Sequence, residues 1–255
     1  MKIDDINSIG VLGAGVMGSG IAQCAIHAGF KTVVRDLNQD ICDTATETII
    51  GGRFGFSKAV ELGKMSQAGM DHALSLLSFT TDVADLKDCD LIIEAIGGGA
   101  DGAAENKPLK LSVWQEMDSI VKSDAVFASN TSMFTIADLA AVTQRPERFV
   151  GMHLFSPANI MKLVEVTRTQ DTLDEVVELI VALSERWGKT PIVLKDVPGD
   201  KGFVGNRIMA AVRREATQII DEGVCSREEI NLAMTLGFRW PAGPFPGGAG
   251  KRGWN

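Results

Sequence analysis

The apolar positions of this chain change period repeatedly along its length. The run over 9–12 is short and continuous, as in a buried strand, after which Ile21, Ala22, Ala25 and Ile26 recur at helical spacing and Gly29 ends the helix. Residues 32–35 return to a strand pattern. The spacing then predicts helices over 39–50, interrupted by the glycines of 51–55, and over 57–62 and 70–77, with a short strand over 79–81. The run over 91–96 is apolar and bounded by charge and glycine, the pattern of a fully buried parallel strand. A loop is expected over 97–107, then a helix over 109–123 with Leu111, Trp114, Met117 and Val121 on its apolar face. Strands over 125–128 and 149–152 flank a short helix, for which Thr135 and Asp138 form a capping-box pattern. This alternation predicts an α/β fold, a Rossmann-type doubly wound and mostly parallel sheet.

The rhythm changes after residue 160. A strand over 163–166, a helix opened by a Thr172–Glu175 capping pattern and running to Gly188, and a last strand over 192–194 complete the α/β part. From Asn206 onward the pattern is helical. A helix over 207–222 ends at Gly223, and Ser226 with Glu229 caps another over 228–236; the Gly- and Pro-rich tail over 237–255 is expected to be mostly loop. Pro198 and the glycines beside it mark the change, which divides the chain into a domain over 1–197 and a smaller, shortened all-α domain over 198–255.

The first strand–turn–helix unit carries a specific signal. Gly13, Gly15 and Gly18 fall in the G-x-G-x-x-G spacing, with Ala14, Val16 and Met17 between them, and Asp36 ends the next strand, 18 residues after Gly18. The first glycine permits a tight turn, the second admits a pyrophosphate to the backbone, and the third lets helix and strand pack closely. The helix N terminus presents N–H groups to the anion, and the acid accepts from a ribose hydroxyl. Asp36 favours NAD, because its charge repels a 2′-phosphate, while neighbouring Arg35 leaves NADP open. Residues 6–30 carry no charge and so mimic a signal peptide or membrane span. Asn7, Ser8, Gln23 and His27 within them, and Asp4 and Asp5 before them, argue against both.

Composition narrows the partners. The chain has 255 residues, 45% hydrophobic and 23% charged, and a formal net charge of −8, which argues against nucleic acid. Its four cysteines, Cys24, Cys42, Cys89 and Cys225, are scattered and do not cluster with the three histidines. That predicts a reducing, cytoplasmic setting and no metal site.

A nicotinamide enzyme that oxidises an alcohol needs a base for the hydroxyl proton, and histidine suits neutral pH. His27 and His72 lie in helical stretches and read as packing or surface residues. His153 follows the strand over 149–152, at the end that faces the ligand crevice in open α/β sheets. Glu165 sits inside an apolar strand, where a carboxylate must be paired; its partner is either a histidine, or Lys162 or Arg168. Ser132 and Asn206, at a strand end and a helix start, suit either a substrate carbonyl or a helix cap.

At this point the sequence resembles a known family. The segments GAGVMGSGIAQ, ASNTS, GMHLFSP, MKLVEV and GFVGNR, in that order, resemble (S)-3-hydroxyacyl-CoA dehydrogenases of fatty acid metabolism over nearly the whole chain. The resemblance implies NAD as cofactor, an acyl-CoA substrate, no membrane partner, and a helical C-terminal domain used in dimerisation. It implies His153 as catalytic base with Glu165 as its partner, and Ser132 and Asn206 as substrate-positioning groups. From ENKPLK it brings Glu105 and Lys110 to the cofactor, and it makes Lys58 a loose candidate for a CoA phosphate. The chain departs from the family at four places. Ser156 stands where the family has a cofactor-contacting Asn, and the loop between Glu94 and Glu105 is longer. The P-G-F run is lengthened to Pro198-Gly199-Asp200-Lys201-Gly202-Phe203, and the family's further helices are not matched before Asn255, which implies a weakened homodimer. Two rival readings share this architecture: a dehydrogenase of a free hydroxy acid such as L-gulonate, and a non-catalytic NAD-binding protein of crystallin or sensor type.

Overall fold

A computed structural model of the chain describes residues 2–97 and 105–245. The loop expected over 97–107 and the tail over 237–255 therefore lie partly outside the described residues. Chain contacts divide the molecule into two units, Met1–Asp200 and Lys201–Asn255.

The first unit opens with β1 (Ser8–Leu12), α1 (Val16–His27), β2 (Lys31–Arg35), α2 (Gln39–Gly51), α3 (Phe56–Glu61), α4 (Gln67–Ser75) and β3 (Leu77–Thr80). It continues with β4 (Leu91–Glu94), α5 (Lys107–Ile120), β5 (Val126–Ser129), α6 (Ile136–Ala140), β6 (Phe149–Leu154), β7 (Leu163–Arg168), α7 (Asp174–Arg186) and β8 (Thr190–Lys195). The eight strands form one sheet in the order β3-β2-β1-β4-β5-β6-β7-β8. The order runs outward from β1 in one direction and from β4 in the other, so the topological switch point lies between these two strands, where open α/β sheets bind ligands. Strands β1, β4, β5 and β6 are buried almost throughout, as their unbroken apolar runs require.

Strand β7 breaks the parallel pattern. It runs antiparallel to β6, with Cα partners Gly151–Thr167 and His153–Glu165, and β8 then pairs parallel to β7. The connection over 155–162 is too short for a right-handed crossover, so the chain reverses direction.

Local signals placed several element ends correctly and missed others. Gly29, at φ +91°, follows α1, and Gly223, at φ +73°, ends the first helix of the second unit. Helix α4 begins earlier than the spacing over 70–77 predicts. Ser66 accepts from Gly69 N–H at its start, and Leu77 belongs to β3. The two capping patterns of the first unit are not used as caps. Thr135 makes no side-chain cap to α6, whose Ala137 N–H donates to Asp196 Oδ2 at 2.8 Å. Leu173 is the N-cap of α7, and the Thr172 hydroxyl donates to the Phe149 carbonyl at 2.9 Å. A distant partner outcompetes the local one in each case.

The second unit holds α8 (Val204–Asp221) and α9 (Arg227–Phe238). Ser226 and Glu229 form the expected capping box of α9. Beyond it, Asn231 ties the chain back by accepting from Phe245 N–H and donating to the Phe245 carbonyl, each at 3.1 Å.

Candidate active site

The turn from β1 into α1 is shaped by its glycines. Gly13 takes φ +95°, and a Cβ at Gly18 would lie 1.7 Å from the Gly13 carbonyl oxygen, so no other residue fits there. A Cβ at Gly15 would instead meet open space. Gly15 is the N-cap of α1 and brings no side chain to its first-turn N–H groups. An open approach to uncapped N–H groups fits a pyrophosphate. Asp36 is held beside this turn, with Oδ2 accepting from Ala14 N–H and Oδ1 from Leu37 N–H, both at 2.6 Å. Each oxygen retains a second lone pair for a ribose hydroxyl.

Beside the turn, at the ends of β4 and β5, lies a buried polar network. Glu94 and Lys110 have side chains 0% and 2% exposed and are paired at 2.5 Å. Glu94 also accepts from Ile96 N–H at 2.7 Å and from the Ser129 hydroxyl at 2.6 Å. Lys110 reaches on to Glu105 at 3.3 Å. Glu105 in turn accepts the Ser132 hydroxyl at 2.5 Å, the Ser132 N–H at 2.8 Å and the Thr131 hydroxyl at 2.7 Å. Burial alone would raise the Glu105 carboxyl. The Lys110 charge and the Ser132 and Thr131 hydrogen bonds outweigh it and hold the group below its ordinary range.

One strand further along, His153 and Glu165 meet. Both are buried, and His153 Nδ1 lies 2.7 Å from Glu165 Oε2. A carboxylate only accepts, so Nδ1 carries the proton and Nε2 is the basic nitrogen. The rival partners are engaged elsewhere, Lys162 with the Gly188 carbonyl and Arg168 with Asp174 and the Thr172 carbonyl. Asn130 Oδ1 accepts from Leu154 N–H at 2.9 Å and pins the end of β6 to the Ser129–Ser132 turn.

The remaining expected residues are exposed. Ser156 is exposed on the turn after β6. Lys58 is exposed on α3 and paired with Glu61 at 2.7 Å. Asn206 is exposed in the first turn of α8, in the second unit. Sequence reasoning missed Glu94 and Asn130. The signal for Glu94 was available, since a carboxylate within an apolar run needs a partner. Among the described residues, no group of three or more His, Cys, Asp or Glu side chains could hold a metal ion, and no helix is long and apolar enough to cross a membrane.

This layout, with its dinucleotide turn at the switch point and a histidine–carboxylate pair on the same sheet edge, is that of a Rossmann-type NAD-dependent oxidoreductase. A family model described as 3-hydroxyacyl-CoA dehydrogenase, NAD binding domain, matches residues 8–197, and the C-terminal domain of the same family matches 202–247. The chain belongs to the 3-hydroxyacyl-CoA dehydrogenase family. A relative from Deinococcus radiodurans is 40% identical over 236 residues, 92% of this chain and 80% of that one. A 3-hydroxybutyryl-CoA dehydrogenase of Clostridioides difficile is 37% identical over 237 residues, 93% of this chain and 80% of that one. The crystal structure of (S)-3-hydroxybutyryl-CoA dehydrogenase from Ralstonia eutropha aligns with a TM-score of 0.86 at 37% identity, covering 94% of this chain and 80% of that one.

Proposed function

We propose that this protein interconverts (S)-3-hydroxyacyl-CoA and 3-oxoacyl-CoA esters of short or medium chain. The observation that carries the reading is the 2.7 Å pair between His153 Nδ1 and Glu165 at the sheet edge. NAD, when bound along Gly13–Gly18 and Asp36, supplies the two-electron oxidant for C3. His153 Nε2 takes the proton of the 3-hydroxyl, and Glu165 holds the required tautomer and stabilises the imidazolium that forms. General-base help of this kind contributes about 10²–10⁴-fold. Ser132 donates its own proton to Glu105, so its oxygen lone pairs are available to the substrate hydroxyl. Asn206 takes the thioester side of the substrate, Lys58 a CoA phosphate, and Ser156, Glu105 and Lys110 border the cofactor. A homodimer is supported by the apolar side chains that the second unit exposes, Ile208, Leu232, Leu236 and Phe238. The bacterial relatives and the scattered cysteines support a cytoplasmic location.

The test is NADH oxidation with acetoacetyl-CoA, run beside free acetoacetate and beside NADPH. Turnover with NADH and the CoA ester, lost in His153→Gln, is the expected result. Turnover with the free acid would assign the protein to a dehydrogenase of free hydroxy acids. NADH binding without turnover would favour a non-catalytic scaffold.

A further inference from the structure

The last residue of the first unit is tied back to the site. Asp200 Oδ2 lies 2.7 Å and Oδ1 2.9 Å from Lys107 Nζ, and Oδ1 also accepts from Thr135 N–H at 2.8 Å. Asp200 N–H donates to the Thr135 hydroxyl at 3.3 Å. Four residues earlier, Asp196 accepts from Ala137 N–H. The segment that leads into the second unit is therefore fastened at two points onto the start of α6, three to five residues after Ser132. Lys107, in the first turn of α5, stands two residues after Glu105, which accepts the Ser132 hydroxyl. The other partners of Lys107 are Asp138 at 2.7 Å and the face of Phe134.

Asp200 takes this place in the left-handed region. Gly199, Asp200 and Gly202 all take positive φ, of +109°, +48° and +72°, and Asp200 alone of the three has a side chain. Aspartate is one of the few residues besides glycine that enter the left-handed region, and here its carboxylate is engaged by Lys107 and Thr135. Lys107 holds the Asp200 carboxyl below its ordinary range, so the pair stays charged at neutral pH. The lengthened P-G-F run supplies this residue.

We propose that Asp200 is a positioning residue: clamped between Lys107 and Thr135, it holds residues 196–200 and the Ser132 loop as one body. Releasing the clamp gives the Ser132 loop more conformations, of which a smaller fraction admits substrate. Apparent affinity then falls by that fraction, while turnover at saturation is kept.

Asp200→Asn keeps the left-handed preference and an acceptor for Thr135 N–H but loses the charge facing Lys107; Lys107→Met removes the other partner, and Lys107→Arg preserves it. The first readout is limited trypsin cleavage of the full chain after Lys201, followed by mass spectrometry. Asp200→Asn and Lys107→Met each speed this cut by about fivefold, as loss of a half-exposed ion pair allows. The double variant adds nothing further, and Lys107→Arg restores the wild-type rate. The second readout rests on the dehydrogenase reading above: the two single variants raise the KM for acetoacetyl-CoA with kcat unchanged, whereas mere destabilisation would lower the active fraction and leave KM alone. Wild-type cleavage rates in both variants, or additive effects in the double variant, would overturn the clamp. Faster cleavage with an unmoved KM would overturn its positioning role. If the wild type turns over no acyl-CoA, the dehydrogenase reading fails while the cleavage series still decides the clamp.

Discussion

Glu165 stands directly opposite His153 in the antiparallel register of β6 and β7, and its carboxylate oxygen lies 2.7 Å from Nδ1. Directly opposed residues on antiparallel strands project to the same face, so the pairing is a property of the register rather than of a flexible loop. Glu165→Gln keeps the shape but offers an amide that can donate to Nδ1 and turn the imidazole to the wrong tautomer. The expected outcome is a fall in kcat of about 10²–10⁴-fold, by analogy with triad carboxylates. NADH affinity, measured by fluorescence, should stay within error; an unchanged kcat would remove Glu165 from the mechanism.

Gly15 and Gly18 separate cofactor binding from folding. The Gly15→Ala methyl enters open space, so the variant should unfold in urea at the wild-type midpoint yet bind NADH at least about tenfold more weakly, because the methyl occupies the pyrophosphate approach. The Gly18→Ala methyl meets the Gly13 carbonyl at 1.7 Å and should lower the unfolding midpoint itself. Equal NADH affinity in Gly15→Ala and wild type would refute the cradle.

Glu94 neutralises a lysine that has almost no water contact. Glu94→Ala leaves the buried Lys110 charge only its longer contact to Glu105, at 3.3 Å, and should cost up to about 3–5 kcal/mol, read from urea unfolding. Combining it with Lys110→Met should recover part of that loss, since the poorly hydrated lysine charge is then removed as well. A double variant no more stable than Glu94→Ala would argue against the pairing as the source of the cost.

Acid should loosen the Ser132 turn through Glu105. Its folded-state pKa lies below the ordinary value of 4.5, so the stability it contributes is fully present above that value and is lost as pH falls through the folded pKa. Urea unfolding followed from neutral pH down past 4.5 should show stability declining at the acid end, with a shallower decline in Glu105→Gln. Identical slopes in the two proteins would contradict the assignment.

Much of the site was legible because its signals are local. Three glycines at fixed spacing specify a turn, an acid closes the second strand and is held beside that turn, and Ser226 with Glu229 specifies a helix start. A carboxylate in an apolar strand announces that it is paired, as Glu165 does. The sequence does not say with what, because Lys162, Arg168 and His153 are all within reach of an undetermined register. Glu94 gives the same signal from within a run that also reads as an ordinary buried strand.

The amino-acid sequence by itself determined the alternation of strands and helices, the dinucleotide turn and the position of His153 at a strand end. These depend on side-chain period and on backbone freedom within a few residues. Only the tertiary structure decided that β7 runs antiparallel and brings Glu165 to His153, that Glu94, Lys110, Glu105 and Ser132 form one network, and that Asp196 takes the place of Thr135 as acceptor at the start of α6 while Asp200 binds Thr135 itself. Each of these joins residues far apart in the chain. Local period carries no information about which distant partner will complete a buried charge or an unpaired N–H; chain reversal and packing decide that.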